Sequence, residues 1–377
     1  MIVAGEASAE KYGARLVGSI RARRPSSDLC FYGTGGDEMQ KAGVDLLCHI
    51  RDLASIGPRE ALSHMYKYVA TYRALLRRSR QTPPAVSVLI DFPEFNLRLA
   101  GRLKRSGTRV IYYVGPQIWA WRRGRIRTVR RFVDKMAVIL PFEEQFYREH
   151  GVEAEFVGHP LLEDFTFERD RSRFARDHGL DPGRRIISLL PGSRRQEVEY
   201  ILPTLLRASL RVLEKIAAQF IISIAPGLQR SQLSRIAAQV LGTEAHPDFR
   251  LMETAARDML ACSDFAFVKS GTSTLEAALV GTPFLITYKI SRLSWLAGNI
   301  LVSSPHKGLV NLVAGRPIVP EILQDAATPE ALSRTALEYL RNPEKAEAMR
   351  ARLLGIRDLL GARTASESVA SMVVANL

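Results

Sequence analysis

Two rhythms of apolar and polar residues alternate along this chain. One is a series of short continuous apolar runs: MIVAG, DLCFYGTGG, AVSVLID, TRVIYYVG, DKMAVIL and EAEFVG in the first half, then RIISLLPGS, QFIISIAPG, SDFAFVKSG and PFLITYK in the second. Runs of β-branched and aliphatic residues fit strands covered on both faces, as in a parallel sheet. The other rhythm is helical and fills the intervals. Strand, helix, strand, repeated this way, predicts right-handed βαβ units and parallel sheets. The pattern pauses over EDFTFERDRSRFARDHGLDPGRR, Glu163 to Arg185, which is polar and poor in aliphatics. The domain junction is placed there. The predicted fold class is α/β, with two doubly wound Rossmann-like domains, 1–165 and 166–350, facing each other across a cleft. Residues 351–377 are expected to form a C-terminal helix that returns to the first domain. Ligands in such folds bind beyond the carboxyl ends of the strands.

A length of 377 residues exceeds one ordinary core and agrees with two domains, and the 46% hydrophobic content is globular. No run reaches the ~18 apolar residues that span a bilayer. MIVAGEAS has no basic region followed by a long apolar core, so no signal peptide is expected. MIVAG starts so close to the first residue that this strand is expected as a short sheet edge, and a truncated start is left open. Cys30, Cys48 and Cys262 fit no CxxC spacing and read as reduced thiols, and the seven histidines show no metal-ligand pairing. Charge changes the picture more. Lys+Arg 53 against Asp+Glu 39 gives +14, a surplus that favours nucleic acid, anionic lipid or phosphorylated substrates.

Three turns carry candidate chemistry. GEASAEKYG, Gly5 to Gly13, follows the first strand and opens a helix, which Glu6 or Ser8 can cap; it is not GxGxxG. In LLPGSRRQEVE, Pro191 and Gly192 turn the chain and Ser193 can present its hydroxyl and N–H. The helix N-terminus there offers partial positive charge to a phosphate, and Arg194 adds a bidentate donor. In KSGTSTLEAALVGTPF, Ser270, Gly271 and Thr272 can present donors to a diphosphate, while Glu276, one turn into the helix, can accept from a ribose diol. The plainer alternative makes Glu276 a solvated helix residue. Together, PGSR and SGTSTLE point to a nucleoside diphosphate.

GEAS, IDFPEFN, YYVGPQIWAWR, LPFEEQFY, FVGHPL, LLPGSR, SGTSTLEA and NLVAGR occur in this order over most of the chain. The combination closely resembles the lipid-A-disaccharide synthase family, bacterial hexosyltransferases of the GT-B fold. The resemblance implies an acceptor-binding first domain and a UDP-sugar-binding second domain. It implies a UDP-2,3-diacylglucosamine donor, a 2,3-diacylglucosamine-1-phosphate (lipid X) acceptor, and a β-1,6-linked disaccharide product with UDP released. No cofactor and no metal is expected. It further implies a cytoplasmic enzyme held peripherally at the anionic inner-membrane surface, with a homodimer as a family property. The family usually reads GExSGD at the first turn; here Ala9 and Glu10 stand in the last two places, so a methyl replaces a hydrogen and a slightly different backbone is expected.

An inverting transfer to a sugar 6-hydroxyl needs one base to take its proton. VLIDFPEFN offers two acids. Asp91 ends a strand, whereas Glu94, after Pro93, falls in the first turn of the next helix, where the dipole favours it. The resemblance matches the base to Asp91; the competing reading makes Asp91 the helix N-cap. Glu6 is carried over as a second carboxylate, holding the acceptor or orienting Asp91. The UDP half falls to Gly192, Ser193, Arg194, Ser270, Gly271, Thr272, Glu276 and Asn311 of NLVAGR.

An acylated substrate needs apolar surface. Leu62, Met65, Tyr66, Val69, Tyr72, Leu75 and Leu76 recur at helical spacing beside Lys67, Arg73, Arg77, Arg78 and Arg80 and are read as a membrane or acyl-chain face, though such a stripe also fits a core helix. WAWRRGRIRTVRR, Trp119 to Arg131, adds two tryptophans and six arginines, which suit lipid headgroups or the acceptor phosphate. No nucleic-acid module surrounds them, and nucleic acid is not an expected partner. The alternative enzyme is another GT-B nucleotide-sugar enzyme such as a UDP-N-acetylglucosamine 2-epimerase, which needs further acids and histidines; His159 is the only obvious candidate, although it fits a turn before Pro160 better. A basic binding module without catalysis leaves Asp91, PGSR and SGTSTLE without a purpose.

Overall fold

The structure, a computed structural model, describes residues 1–377 except 26–27, 54–60, 120–122, 169, 244–245, 291–305 and 362–363, and leaves out the side chains of 53, 61–65 and 123. The chain divides into two compact units, Met1–Asp164 with Leu360–Leu377, and Phe165–Leu359.

The first unit begins β1 (Ile2–Ala4), α1 (Ala7–Arg23), β2 (Phe31–Gly35), α2 (Asp37–Lys41), β3 (Val44–His49), α3 (Ile50–Leu53) and α4 (Ala61–Gln81). It continues β4 (Val86–Ile90), α5 (Pro93–Arg105), β5 (Arg109–Tyr113), α6 (Ile126–Phe132), β6 (Lys135–Val138), α7 (Pro141–Glu149) and β7 (Ala154–Phe156). The strands form one parallel sheet in the order β3-β2-β1-β4-β5-β6-β7. β1 is therefore not the edge expected from its place in the chain. It pairs with β2 on one side and β4 on the other, and Ile2, Val3 and Ala4 are all buried, because a strand apolar on every residue must be covered on both faces. Alternate residues point opposite ways. Val3, Leu89, Val110 and Tyr112 join the core under α4 and α5, while Ile2, Ala4, Val88, Ile90 and Ile111 join the core under α1.

The departure GEASAE fits this packing. Ala9 lies inside α1 and its methyl is part of the core. Glu10 Oε1 accepts the Glu38 N–H at 2.6 Å, capping α2.

The helical stripe of α4 needs correction. Leu75 is 0% exposed and belongs to the core, and Leu76 and Tyr72 pack against the same cluster, so this end of the stripe is not a membrane face. The spacing that marks a lipid-facing helix also marks a core-facing one, and here the sheet claims it. Tyr66 is 75% exposed and Val69 half-buried. The side chains of Leu62 and Met65 lie outside the described residues. Trp119 is likewise core: its indole N–H donates to Glu143 Oε1 at 2.9 Å, and burial pushes the Glu143 carboxyl up to about 7. Trp121 and Arg122 lie outside the described residues.

The second unit runs α8 (Arg171–Asp177), β8 (Arg185–Leu190), α9 (Arg195–Leu213), β9 (Ala218–Ser223), α10 (Arg230–Leu241), β10 (Phe249–Met252), α11 (Ala256–Ala261) and β11 (Phe265–Lys269). It ends with α12 (Ser273–Val280), β12 (Phe284–Tyr288), α13 (Leu309–Ala314), β13 (Glu321–Leu323), α14 (Pro329–Leu340), α15 (Pro343–Leu354) and α16 (Ile356–Leu359). Its parallel sheet has the order β10-β9-β8-β11-β12-β13. The last helix, α17 (Ala365–Val374), belongs to the first unit: Ala365, Val369 and Val373 share a core with Leu16 and Val17 of α1. Glu163 fixes its start, accepting from the Ser366 N–H and hydroxyl at 2.6 and 2.8 Å.

Replacing Leu75 by alanine should lower stability by about 2–5 kcal/mol in a denaturant titration, the range for a fully buried leucine, whereas Tyr66→Ser should stay within about 0.5 kcal/mol of wild type. A near-neutral Leu75→Ala would return this residue to the surface.

Candidate functional site

Each sheet reverses its strand order once. In the first the reversal falls between β1 and β4; in the second it falls between β8 and β11. These topological switch points are where doubly wound sheets bind ligands. The turns after those four strands are GEAS, DFPE, PGSR and KSGT, the same stretches that carried candidate chemistry in the sequence.

At the first switch point, β1 and β4 lie in register, Ala4 beside Ile90. Asp91 and Phe92 then both take left-handed backbone, with φ of 48° and 51°, and Val114, just past the end of β5, has φ 61°. A β-branched or bulky residue seldom adopts this region, and each such residue costs on the order of 1–3 kcal/mol. Phe92 and Val114 are two such residues, at the carboxyl ends of adjacent strands, and mark a place where the chain is held against its preference. What holds Asp91 is visible: its carbonyl accepts from the Tyr112 hydroxyl at 2.6 Å and from Asn96 Nδ2 at 2.8 Å. Asn96 is buried and also donates to the Ile90 carbonyl at 3.2 Å. Tyr112 and Asn96 are thus positioning residues that the sequence reading missed. IDFPEFN contains Asn96, but nothing in its spacing says that it bends back onto the turn.

The same turn settles what Asp91 is not. α5 begins at Pro93 with Phe92 at its N-cap, so Asp91 lies one residue outside the capping position. Its carboxylate accepts the neighbouring Phe92 N–H. Burial, and then the like charge of Glu6, push the Asp91 carboxyl up to about 6 in spite of that hydrogen bond. Glu6 stands exposed at the N-cap of α1 without a side-chain capping bond. Glu94 occupies the first turn of α5 and is tied to Arg125 by an ion pair. Of the two acids in DFPE, one is a half-buried carboxyl with a raised pKa and the other a surface partner of an arginine.

At the second switch point, Gly192 has φ 119°, and a Cβ there would come within 2.6 Å of Glu197 Oε2. Glycine is required on both counts. Glu197 is buried in the first turn of α9, and its Oε2 accepts the Ser193 and Arg194 N–H groups at 3.3 and 3.4 Å. The Ser193 N–H, expected to face a phosphate, is thus taken internally, as is that of Arg194. The Ser193 hydroxyl and the Arg194 guanidinium remain on exposed residues. Gly271 and Thr272 lead into α12, where the Thr274 and Leu275 N–H groups donate back to Gly271 O and Thr272 O at 3.1 and 2.9 Å. Glu276 is half-buried rather than solvated; burial raises its pKa and Ser273 hydrogen-bonds to it.

Two residues assigned to the nucleotide are corrected. Asn311 is 0% exposed and uses its whole amide: Nδ2 donates to Val319 O and Glu321 Oε1, both at 2.8 Å, and Oδ1 accepts the Ile318 and Val319 N–H groups at 2.9 and 3.0 Å. An amide so saturated has no position left for a ligand. It holds Glu321, which accepts the Lys307 and Gly308 N–H groups ahead of α13. Ser270 likewise donates its hydroxyl to Lys307 O at 2.6 Å and its N–H to Thr287 O at 3.0 Å. His159 is the turn residue expected: Nδ1 accepts the Leu161 N–H at 3.1 Å, and burial lowers the imidazole pKa to about 4, so the ring is neutral.

Among the described residues no group of three His, Cys, Asp or Glu side chains is arranged to hold a metal ion, and no helix is long and apolar enough to cross a membrane.

Residues 1–373 match the protein family described as lipid-A-disaccharide synthetase. A relative named lipid-A-disaccharide synthase from Syntrophus aciditrophicus (strain SB) is 42% identical over 375 residues, 99% of this chain and 96% of that protein. Another of that name, from Koribacter versatilis (strain Ellin345), is 41% identical over 371 residues, 98% of this chain and 95% of the other. Among solved structures, a putative UDP-N-acetylglucosamine 2-epimerase from Listeria monocytogenes aligns with TM-score 0.66 at 13% identity, covering 99% of this chain and 95% of its own. The calicheamicin glycosyltransferase CalG4 aligns with TM-score 0.60 at 14% identity, covering 100% and 97%. At such identities the likeness is one of fold, the two-domain GT-B class.

The raised pKa of Asp91 has a thermodynamic consequence. Between its ordinary 3.8 and about 6 the folded chain keeps a proton that the unfolded chain has released. This carboxyl therefore contributes stability that is complete below pH ~4 and is lost as pH rises through about 6. The gap corresponds to at most ~3 kcal/mol. Asp91→Asn should raise the thermal unfolding midpoint at pH 7.5, with the gain shrinking toward zero at pH 4. A gain independent of pH would contradict the raised pKa.

Proposed function

Because the chain belongs to the lipid-A-disaccharide synthetase family, and is thereby a glycosyltransferase of lipid A biosynthesis, we propose that it joins UDP-2,3-diacylglucosamine to 2,3-diacylglucosamine-1-phosphate with inversion, giving the β-1,6-linked disaccharide 1-phosphate and UDP. The observation that carries the mechanism is Asp91, a half-buried carboxyl with a pKa of about 6 on a left-handed turn at the switch point of its sheet.

In this reading the first unit receives the acceptor and the second the UDP-sugar. Asp91 takes the proton of the acceptor 6-hydroxyl as that oxygen bonds to the anomeric carbon of the donor. The bond from that carbon to the diphosphate oxygen breaks, and UDP leaves with the electron pair. A single displacement inverts the carbon and needs one base and no carboxylate nucleophile. A base works best with a pKa near the operating pH, and Glu6 serves by keeping the Asp91 carboxyl basic. Charge growing on the departing diphosphate is met by Arg194 and by the N-terminal turn of α12 at Gly271 and Thr272, with the Ser193 hydroxyl beside them. Glu276 takes the ribose hydroxyls.

The epimerase alternative shares the fold. His159 argues against it, since the imidazole is buried, neutral and committed to the Leu161 N–H. Substrates with acyl chains call for peripheral contact with the anionic inner membrane from the cytoplasmic side, and exposed Tyr66, with Val69 and the basic residues along α4, supports that contact.

Incubation with UDP-2,3-diacylglucosamine and lipid X should yield UDP and the disaccharide, and EDTA should leave the rate intact. Asp91→Asn should cut turnover by ~10²-fold or more while UDP binding persists, and Glu94→Gln should stay near wild type. Arg194→Ala should weaken UDP binding by about 1.5–3 kcal/mol without loss of folding. A crippled Glu94→Gln beside a near-normal Asp91→Asn would reverse the assignment.

A further inference from the structure

We propose that Lys269 is a diphosphate-binding residue of the UDP-sugar site, its ammonium poised between the PGSR and SGT turns. The proposal rests on the reading of the second unit as the UDP-sugar unit and adds to it a residue outside the turn donors named so far.

Lys269 ends β11, the strand that pairs with β8 on one side, Val268 beside Leu190, and with β12 on the other, Lys269 beside Thr287. It therefore stands at the switch point itself, with one phosphate-type turn in its own chain and the other on the neighbouring strand. Its side chain is only 18% exposed. Nζ lies 2.9 Å from Glu197 Oε1 and 5.4 Å from the centroid of the Tyr288 ring, so the ammonium is pinned from two sides. A Cβ built on Gly271 would lie 3.7 Å from this Nζ, with no other atom within 4 Å. The open face above the N-terminal turn of α12 is thus bordered by a fixed positive charge.

Glu197 does not by itself account for that charge. Its carboxylate already accepts the Ser193 and Arg194 N–H groups at the start of α9, and the Arg194 guanidinium lies 3.6 Å away. An ammonium carries three donors, and one of them satisfies Glu197. Lys269 and Arg194 together exceed the single negative charge of Glu197, leaving the two turns net positive where two helices begin. A diphosphate is the ligand chemistry that matches: two linked anionic groups, spanning donors on adjacent turns. Glu197 then acts as a strut, holding the ammonium and the PGSR backbone in one arrangement before the ligand arrives.

Calorimetric titration of the full chain with UDP, and with uridine as the phosphate-free control, tests this. Lys269→Met should weaken UDP binding about ten-fold or more and leave uridine binding unchanged, while Lys269→Arg should keep most of the UDP affinity. Because Lys269→Met leaves a buried carboxylate without its partner, the double variant Lys269→Met, Glu197→Gln guards against a folding defect, and its UDP affinity should stay as low as that of the single variant. Wild-type UDP affinity in the double variant would mean that Lys269 only neutralises Glu197, and would overturn the proposal. So would a Lys269→Met protein that binds UDP as wild type does. A wild type that binds no UDP at all would overturn the proposal together with the reading beneath it.

Discussion

A missing Cβ organises the first site. The ring of Phe92 lies where a side chain on Gly5 would begin: a Cβ there would sit 2.4 Å from the Phe92 ring carbons. The contact interlocks the turn after β1 with the turn after β4. Phe92 makes it from left-handed backbone, and Asp91 just before it lies in the same region. The Asp91 carboxyl is brought into half-buried surroundings close enough to Glu6 for like charge to matter. Tyr112 from β5 and Asn96 from α5 then fix the Asp91 carbonyl. Asp91, the companion acid Glu6 and the supports Tyr112 and Asn96 come from four elements, and they meet at the switch point of the sheet.

The arrangement is destabilising taken alone. Strained residues and a carboxylate raised well above its ordinary pKa both oppose folding at neutral pH, and fully buried strands on either side offset them. The second unit repeats the strategy with opposite charge. There a buried carboxylate, Glu197, requires glycine at 192 and takes the N–H groups of the following turn, and positive charge is gathered around it. One switch point holds a carboxyl reluctant to ionise. The other holds cations braced by an acid. The proposed transfer would draw on both environments, one for proton removal and one for diphosphate departure.

The sequence made every interior strand legible, and of the four edge strands among the described residues it showed one, β7 in EAEFVG. β1, β4, β5, β8, β9, β11 and β12 read directly, since a central strand, covered on both faces, is a mostly continuous apolar run. β3, β10 and β13 were not anticipated, and all three are edge strands, short or interrupted by Asp45, Arg250 or Glu321. Glu94 was legible as a first-turn residue of α5 because Pro93 dates the start of that helix. Asn311 and Ser270 were misassigned because a polar residue near a turn looks the same in sequence whether it faces a ligand or the backbone. Leu75 was misplaced for the matching reason, since one helical stripe serves a core and a membrane equally. Tyr112 looked like one more apolar strand residue, and its hydroxyl bond to Asp91 appears once the fold places it.

The proposed transfer turns on Asp91 being a base whose pKa is set by burial and by Glu6. The most direct measurement is the pH dependence of kcat/KM for wild type and for Glu6→Gln. The wild-type rate should rise with pH through an acid limb near 6, as the carboxyl loses its proton. Removing the like charge at Glu6 should move that limb to lower pH. A limb near 4 in wild type, or one that Glu6→Gln leaves in place, would contradict the account.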